Sequence, residues 1–310
     1  MVKLLVGGLG GGGDVIASLA TAFYLESLGF ETVMTGVHRW SMEAVTGGVK
    51  LSEALIQVDS SLRSSKRIPE IAVAETLNRK TYLVLMGSRV DKAENAFKTL
   101  FESENIEGAV LVDAGGDSLV RGDEAQLGSP FTDHPAAAAL VRASRSAGVK
   151  AVVGVAALGA DYEIPFSLLL ENFQSLVARG AYMGCYKPTG NVREAFLREA
   201  GRVLKRVPSF MSTIYYLAVK GEFGPRYFSI LYFKGTFNIE RHHAYTFYFD
   251  AEKLCTHSLI CTMALHNNDV KEIRRTIKKR RRLMPTRREA NIDKTALNQY
   301  LQKQVNFKAL

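Results

Sequence analysis

Two runs of glycine and aspartate hold the residues of this chain best suited to chemistry. The first is Gly7-Gly8-Leu9-Gly10-Gly11-Gly12-Gly13-Asp14. The second is Val112-Asp113-Ala114-Gly115-Gly116-Asp117-Ser118, followed by Arg121-Gly122-Asp123-Glu124 and Gly128-Ser129-Pro130-Phe131-Thr132-Asp133-His134. So many glycines let a turn adopt positive φ and let a ligand approach bare backbone. A helix beginning at Asp14 would aim unpaired N–H groups at that ligand, which favours phosphate or carboxylate. Asp14 itself repels an anion unless a metal ion or an arginine intervenes. Gly8, Gly10 and Gly13 also satisfy GxGxxG, and Arg39 stands where a 2′-phosphate could be met, so an NADP-dependent oxidoreductase is one reading. A Walker A loop is excluded, because Asp14 and Val15 occupy the places of its Lys and Ser or Thr. The plainer reading makes Asp14 an N-cap beside a tight turn.

In the second run, Asp113 falls at the carboxyl end of an expected strand, where open α/β sheets place their ligands. Asp113 and Asp117 are candidate Mg²⁺ ligands through oxygen, and Asp113, Asp117, Asp123 and Asp133 are candidate acids and bases. His134, beside Asp133, is a candidate general base. Alternatively, these acids only cap turns and helix starts. Ser18, on the first expected helix, could touch the ligand. His242 and His243, read as strand neighbours, would face opposite ways and share no ion.

Short β-branched runs alternate with helical patterns to position these residues. Strands are expected over Lys3–Gly8, Glu31–Val37, Tyr82–Met86, Ala109–Asp113 and Ala151–Val155. Helices are expected over Asp14–Leu28, near Lys92–Glu102, and over Pro135–Ala147, Pro165–Arg179 and Val192–Arg206. Ser60–Pro69 reads as a loop. The alternation predicts a doubly wound, mainly parallel, Rossmann-like α/β sheet over residues 1–207. A smaller aromatic-rich β/α portion, or a continuation of the main sheet, would follow over 208–268, with strand-like Ile214–Val219, Tyr227–Phe233 and Ala244–Phe249 and a helix over His257–His266. Residues 269–310 would form a basic helical tail.

That tail concentrates the charge. Ten basic residues between Asp269 and Arg288 oppose only Asp269 and Glu272, so nearly all of the net +9 falls there. Val270, Ile273, Ile277 and Met284 make a narrow apolar stripe at helical spacing. Arg274, Arg275, Lys278, Lys279, Arg280, Arg281 and Arg282 could then face RNA or a ribosome. An acidic protein, an oligomer contact or a solvated tail are the alternatives. Cys185, Cys255 and Cys261 are few and lack CxxC spacing, which predicts a cytoplasmic protein without disulfides. Nothing approaches the apolar length of a membrane span.

DAGGDSLVRGDEAQLGSPFTDH, with GGLGGGGDVIAS before it and LGADYEIPFSLLLENF after it, closely resembles an archaeal and bacterial family known as a domain of unknown function, number 1152. The resemblance spans about residues 1–200. It implies a Rossmann-like fold and a site built from these three loops, including Asp14, Asp113, Asp117, Asp123 and Asp133, and it brings no reaction with it. Asp161-Tyr162-Glu163 has tyrosine where the family tends to have glycine, which would narrow a pocket. A Thr-Glu-Ala-Ser-like element usual in the family is missing near Val207-Pro208-Ser209.

Two functions are therefore expected. One is an enzyme or ligand-binding protein acting on a nucleotide or other phosphorylated small molecule, with Mg²⁺ or a nucleotide as cofactor and a hydrolase or transferase reaction. Gly10 to Gly13 would cradle the anion, and Asp14, Asp123 and Asp161 would orient the substrate. The other is an RNA- or ribosome-associated protein using the basic segment. A homo-oligomer is open in either case.

Overall fold

The computed structural model describes every residue except Gly128, Tyr232, Met284, Pro285, Glu289, Ala290, Asn291 and Leu310. Gly128 of the acidic block and Met284 of the apolar stripe therefore lie outside the described residues. Lys3–Gly8 is a buried strand, paired in parallel with Glu31–His38 on one side and Gly108–Ala114 on the other. Thr81–Leu85 and Lys150–Ala156 extend this parallel run in the two directions. Numbered along the chain, the five parallel strands lie in the order 3-2-1-4-5, which is the doubly wound arrangement. Strand order reverses between Lys3–Gly8 and Gly108–Ala114, and the glycine turn and Asp113 leave those two strands.

Side chains alternate between two cores, as the period of a strand requires. Leu4, Val6, Val110 and Val112 pack with the helix Asp14–Ser27 on one face. Leu5, Ala109 and Leu111 pack on the other, with Phe97 of Val90–Glu104 and Leu140 of Asp133–Ala147. Burial on both faces explains why these strands read as near-continuous apolar runs.

Four antiparallel strands complete a nine-stranded sheet. Thr246–Asp250 and Tyr182–Tyr186 continue it beyond Lys150–Ala156, while Leu55–Gln57 and Val49–Lys50 continue it beyond Thr81–Leu85. On the outer side of Tyr182–Tyr186, the Cys185 N–H donates to the Lys303 carbonyl at 2.7 Å, and Val305 donates back to Cys185 at 3.1 Å. The strand at Tyr182–Tyr186 and the helix Pro69–Leu77 were not expected from the sequence. No helix of the described residues is long and apolar enough to cross a membrane.

Four expectations need correction. Tyr227–Phe233 is not one strand: Gly224–Ile230 pairs antiparallel with Phe233–Ile239, and Leu231 between them stands at φ +53°. Ile214–Val219 is not a strand but part of the helix Phe210–Lys220. Phe210, Ile214, Leu217 and Ala218 are buried at helical spacing, Ser209 caps the start by accepting from Ser212 N, and Gly221 ends it at φ +90°. His242 and His243 lie on a 3₁₀ turn, Arg241–Ala244, with ring centroids 4.2 Å apart instead of facing opposite ways. Cys255 and Cys261, expected as thiols, form a disulfide with Cα atoms 5.0 Å apart. Ser258 ends the helix Ala251–His257 and caps Leu259–His266, and this corner folds the two cysteines together. Cys185 is free and buried.

The basic segment is a helix, Val270–Leu283, docked through buried Val270, Ile273 and Ile277. Val270 donates to the Ser88 carbonyl and Val90 to the Asn268 carbonyl, each at 3.0 Å. Farther on, Arg287 is clamped by Asp123, Glu124, Glu171 and Asn172.

Candidate functional site

At the strand-order reversal, a cavity of about 450 Å³ opens between the glycine turn and the end of Gly108–Ala114. Its walls include Gly11, Gly12, Asp14, Asp113, Asp117, Asp133, Asp161 and Glu163, with His38, Arg39 and Trp40 facing the acids. Sequence-predicted Asp14, Asp113, Asp117, Asp133, Asp161 and Arg39 thus share one cavity.

Each acid is placed by local geometry. Asp14 opens the first helix, and its carboxylate accepts from Gly10 N at 2.9 Å and Ala114 N at 3.3 Å, tying the turn to the neighbouring strand. Asp113 is the penultimate residue of its strand and accepts from Ser118 N at 3.0 Å. Gly115 and Gly116, at φ +131° and +115°, turn the chain so that Asp117 points back into the cavity. Asp133 begins the helix Asp133–Ala147, and its carboxylate lies so close to Gly10 that a Cβ there would displace it. Tyr162 stands at φ +57°, a left-handed conformation that suits glycine. Its ring sits outward against Phe237, with centroids 5.0 Å apart, so it does not line the acidic cavity.

Asp14, Asp113 and Asp133 each offer one oxygen, and these atoms lie within 4.8 Å of one another. Burial raises all of their pKa values, and the crowding adds to it. Asp14 is held well above the usual carboxylate range by burial and then by Asp133 and Asp113. Burial, then Asp133 and Asp113, do the same to Asp117. Burial followed by Asp113 also lifts Asp133 well above that range, while Asp113 itself is raised by burial. Asp161 is pushed up to about 7 by burial, Asp113 and Glu163. Such a group of acids favours its protonated forms unless a cation takes the place of the protons. The donors are hard oxygens without thiolate or imidazole, which fits Mg²⁺ or a similar ion.

Other predicted residues fall elsewhere. Asp123 pairs with Arg287 at 2.8 Å and is part of the clamp on the C-terminal segment, not of the cavity wall. His134 is wholly buried behind Asp133, off the cavity wall, and burial pushes its pKa down to about 4. Ser18 is buried and donates to the Val15 carbonyl at 2.8 Å within its own helix. Gly8 and Gly13 serve packing: a Cβ on Gly8 would crowd Val15 N at 2.7 Å, and one on Gly13 would meet Ser209 at 2.5 Å.

Sequence reasoning missed one pair. His38, at the end of the second strand, bonds through Nε2 to Glu70 Oε2 at 3.0 Å, with both side chains buried. Trp40 stacks on the imidazole with centroids 4.6 Å apart. Nδ1 is left on the side of the Gly11 turn. The available signal was the position of His38 at a carboxyl strand end; Glu70 comes from a helix that the sequence did not reveal.

A family model described as a protein of unknown function, DUF1152, matches residues 5–291. The chain belongs to that family. The DUF1152 match runs well past residue 200, so it takes in the edge strands and the basic helix as well. No curated protein matches. Among solved structures, a deacetylase triple mutant (Orf2*T) from the teicoplanin biosynthetic pathway shares 10% identity at a TM-score of 0.42, over 80% of this chain and 97% of that one. The A40926 pseudoaglycone deacetylase Dbv21 shares 12% at 0.37, over 71% and 86%. Likeness at this level carries no information about the DUF1152 site.

Proposed function

We propose that this chain is an enzyme that takes a nucleotide or other phosphorylated small molecule with a divalent cation and cleaves or transfers its phosphoryl group. The observation that carries this reading is the set of three buried carboxylate oxygens, from Asp14, Asp113 and Asp133, within 4.8 Å of one another beside a glycine turn. Six acids line the cavity against Arg39 and His38, so without a cation the site offers an anion little counter-charge. The same imbalance argues against an oxidoreductase reading in which a dinucleotide pyrophosphate meets Asp14 without a cation.

A bound Mg²⁺ would screen the phosphate from the carboxylates and polarise it for attack. The chain's own residues supply the rest. Gly11 and Gly12 leave room for phosphate oxygens against the backbone, and Arg39 offers a counter-charge. His38, oriented by Glu70, takes the proton of the attacking water or alcohol on Nδ1 as the new P–O bond forms. Asp161, protonated near neutrality, gives its proton to the leaving oxygen as the old P–O bond breaks.

Calorimetry with Mg²⁺ and Mn²⁺, followed by phosphate release from a panel of nucleotides and sugar phosphates, tests the proposal. Saturable cation binding lost in Asp113→Asn, together with cation-dependent turnover of some member, is expected. An absence of cation binding in the wild-type chain overturns it.

A further inference from the structure

The helix Val270–Leu283 presents a fixed cationic ridge away from the body. With Val270, Ile273 and Ile277 turned inward, the 3.6-residue repeat places Lys271, Arg275, Lys278, Lys279 and Arg282 on the opposite side, and all five are exposed. Arg275, Lys278, Lys279 and Arg282 make no ion pair among the described residues. Glu272 is the sole acid of the helix, and its carboxylate accepts from Asn267 Nδ2 at 3.0 Å.

These cations repel one another at i, i+3 and i, i+4, which weakens a helix. No described residue neutralises Arg275, Lys278, Lys279 or Arg282, yet the helix is anchored at both ends. Its start is hydrogen-bonded to Ser88, and near its end the Arg281 guanidinium donates to the Ala125 carbonyl. Between them, Arg274 lies over the Phe131 ring at 5.4 Å. The ridge is thus held in shape with no counter-charge from the described residues. From Lys271 to Arg282 it runs about 16 Å along the axis, enough to meet several successive phosphates.

We propose that this ridge docks on the phosphate backbone of an RNA duplex, a function separate from the acidic cavity. The helix carries no aromatic ring on which a base could stack and no Asn or Gln to read an adenine edge, so contact with phosphates is what it can offer. A membrane surface is a poorer match, because an interfacial helix sets aromatic and apolar residues beside its cations. Here the apolar side is already buried in the body.

The test uses the full chain with a fluorescent RNA duplex of mixed sequence, titrated at several salt concentrations. Beside it runs the variant carrying Arg275→Gln, Lys278→Gln, Lys279→Gln and Arg282→Gln. Sequence-independent binding is expected, with a slope of log K against log salt that shrinks by about 3 in the variant, four contacts at roughly 0.7–0.9 each. The variant should melt no lower than the wild type, since repulsion is removed, and should keep its Mg²⁺ affinity. No saturable RNA binding at low salt, an unchanged slope in the variant, or binding only to phosphatidylserine vesicles overturns the proposal.

Discussion

His38 Nε2 lies 3.0 Å from Glu70 Oε2, and the contact joins the end of a parallel strand to a helix 32 positions farther along. A carboxylate on one ring nitrogen fixes the imidazole's orientation and leaves the other for a proton. His38→Gln should lower kcat of the cation-dependent reaction by about 100-fold or more, with KM and Mg²⁺ affinity little changed. Glu70→Gln, which keeps a hydrogen bond but loses the charge, should fall between. Loss of cation binding or of fold in both variants, with no separate effect on kcat, would make the pair a structural strut.

Gly10 and Gly12 should separate cation from anion binding. A Cβ on Gly10 would collide with Asp133 Oδ1, so Gly10→Ala should weaken Mg²⁺ binding at least tenfold by calorimetry. Gly12, at φ +76°, has nothing within 4 Å of its missing Cβ and faces the cavity. Gly12→Val should retain Mg²⁺ and lose the phosphorylated ligand, at about 1–2 kcal/mol of stability for the left-handed backbone. Undiminished ligand affinity in Gly12→Val would remove the turn from the binding site.

Asp161 predicts a pH dependence. Its folded pKa of about 7 lies above the ordinary 3.8, so the folded chain holds that proton more tightly than the unfolded one. The resulting stability is complete below about pH 3.8 and is lost as pH rises through 7. His134 and His257, both pushed down to about 4 by burial, act oppositely and lose stability as pH falls from 6.5. Asp161→Asn removes only the first effect. In EDTA, the Tm of wild type minus that of Asp161→Asn should fall between pH 4 and 7 and then level off. A constant difference would mean that Asp161 titrates as if in solvent.

Arg287 should matter to stability out of proportion to its place in a basic tail. Glu124 is wholly buried and, besides Arg287 at 3.2 Å, accepts from Arg121 N, Gly122 N and Asn172 Nδ2. Arg287→Ala leaves that charge with less compensation, a loss of about 3 kcal/mol in urea denaturation. Adding Glu124→Gln should recover part of the loss. Strictly additive effects would show that the two residues are not coupled.

The parallel half of the fold was readable because strands buried on both faces are short apolar runs, and because Gly29 and Gly148 punctuate helix ends. Ile214–Val219 misled because tyrosine and β-branched residues favour strands, while the helical spacing shows only once Phe210 is included. Tyr182–Tyr186 was hidden by its glycine and cysteine. The same limits govern the site. Asp14, Asp113, Asp117, Asp133 and Asp161 could be named because each adjoins a glycine turn or a helix start. Asp123 has the same local look, and only Arg287, 164 positions away, diverts it. Glu70 gave no local sign at all, since its partner comes from another layer.

The pairing of Cys185 with Lys303 and Val305 has a consequence for assembly. An outermost strand with free N–H and C=O groups is a template for a second molecule, and such templates lead to dimers by strand addition or to aggregation. Here the chain's own late segment occupies that template, and Gly184 permits the approach, because a Cβ there would crowd Val305 N at 2.7 Å. The opposite border of the sheet ends in Val49–Lys50, only two residues long and carrying a lysine, which is a poor template. Neither border of the nine-stranded sheet therefore offers a long free template to a second copy of this chain.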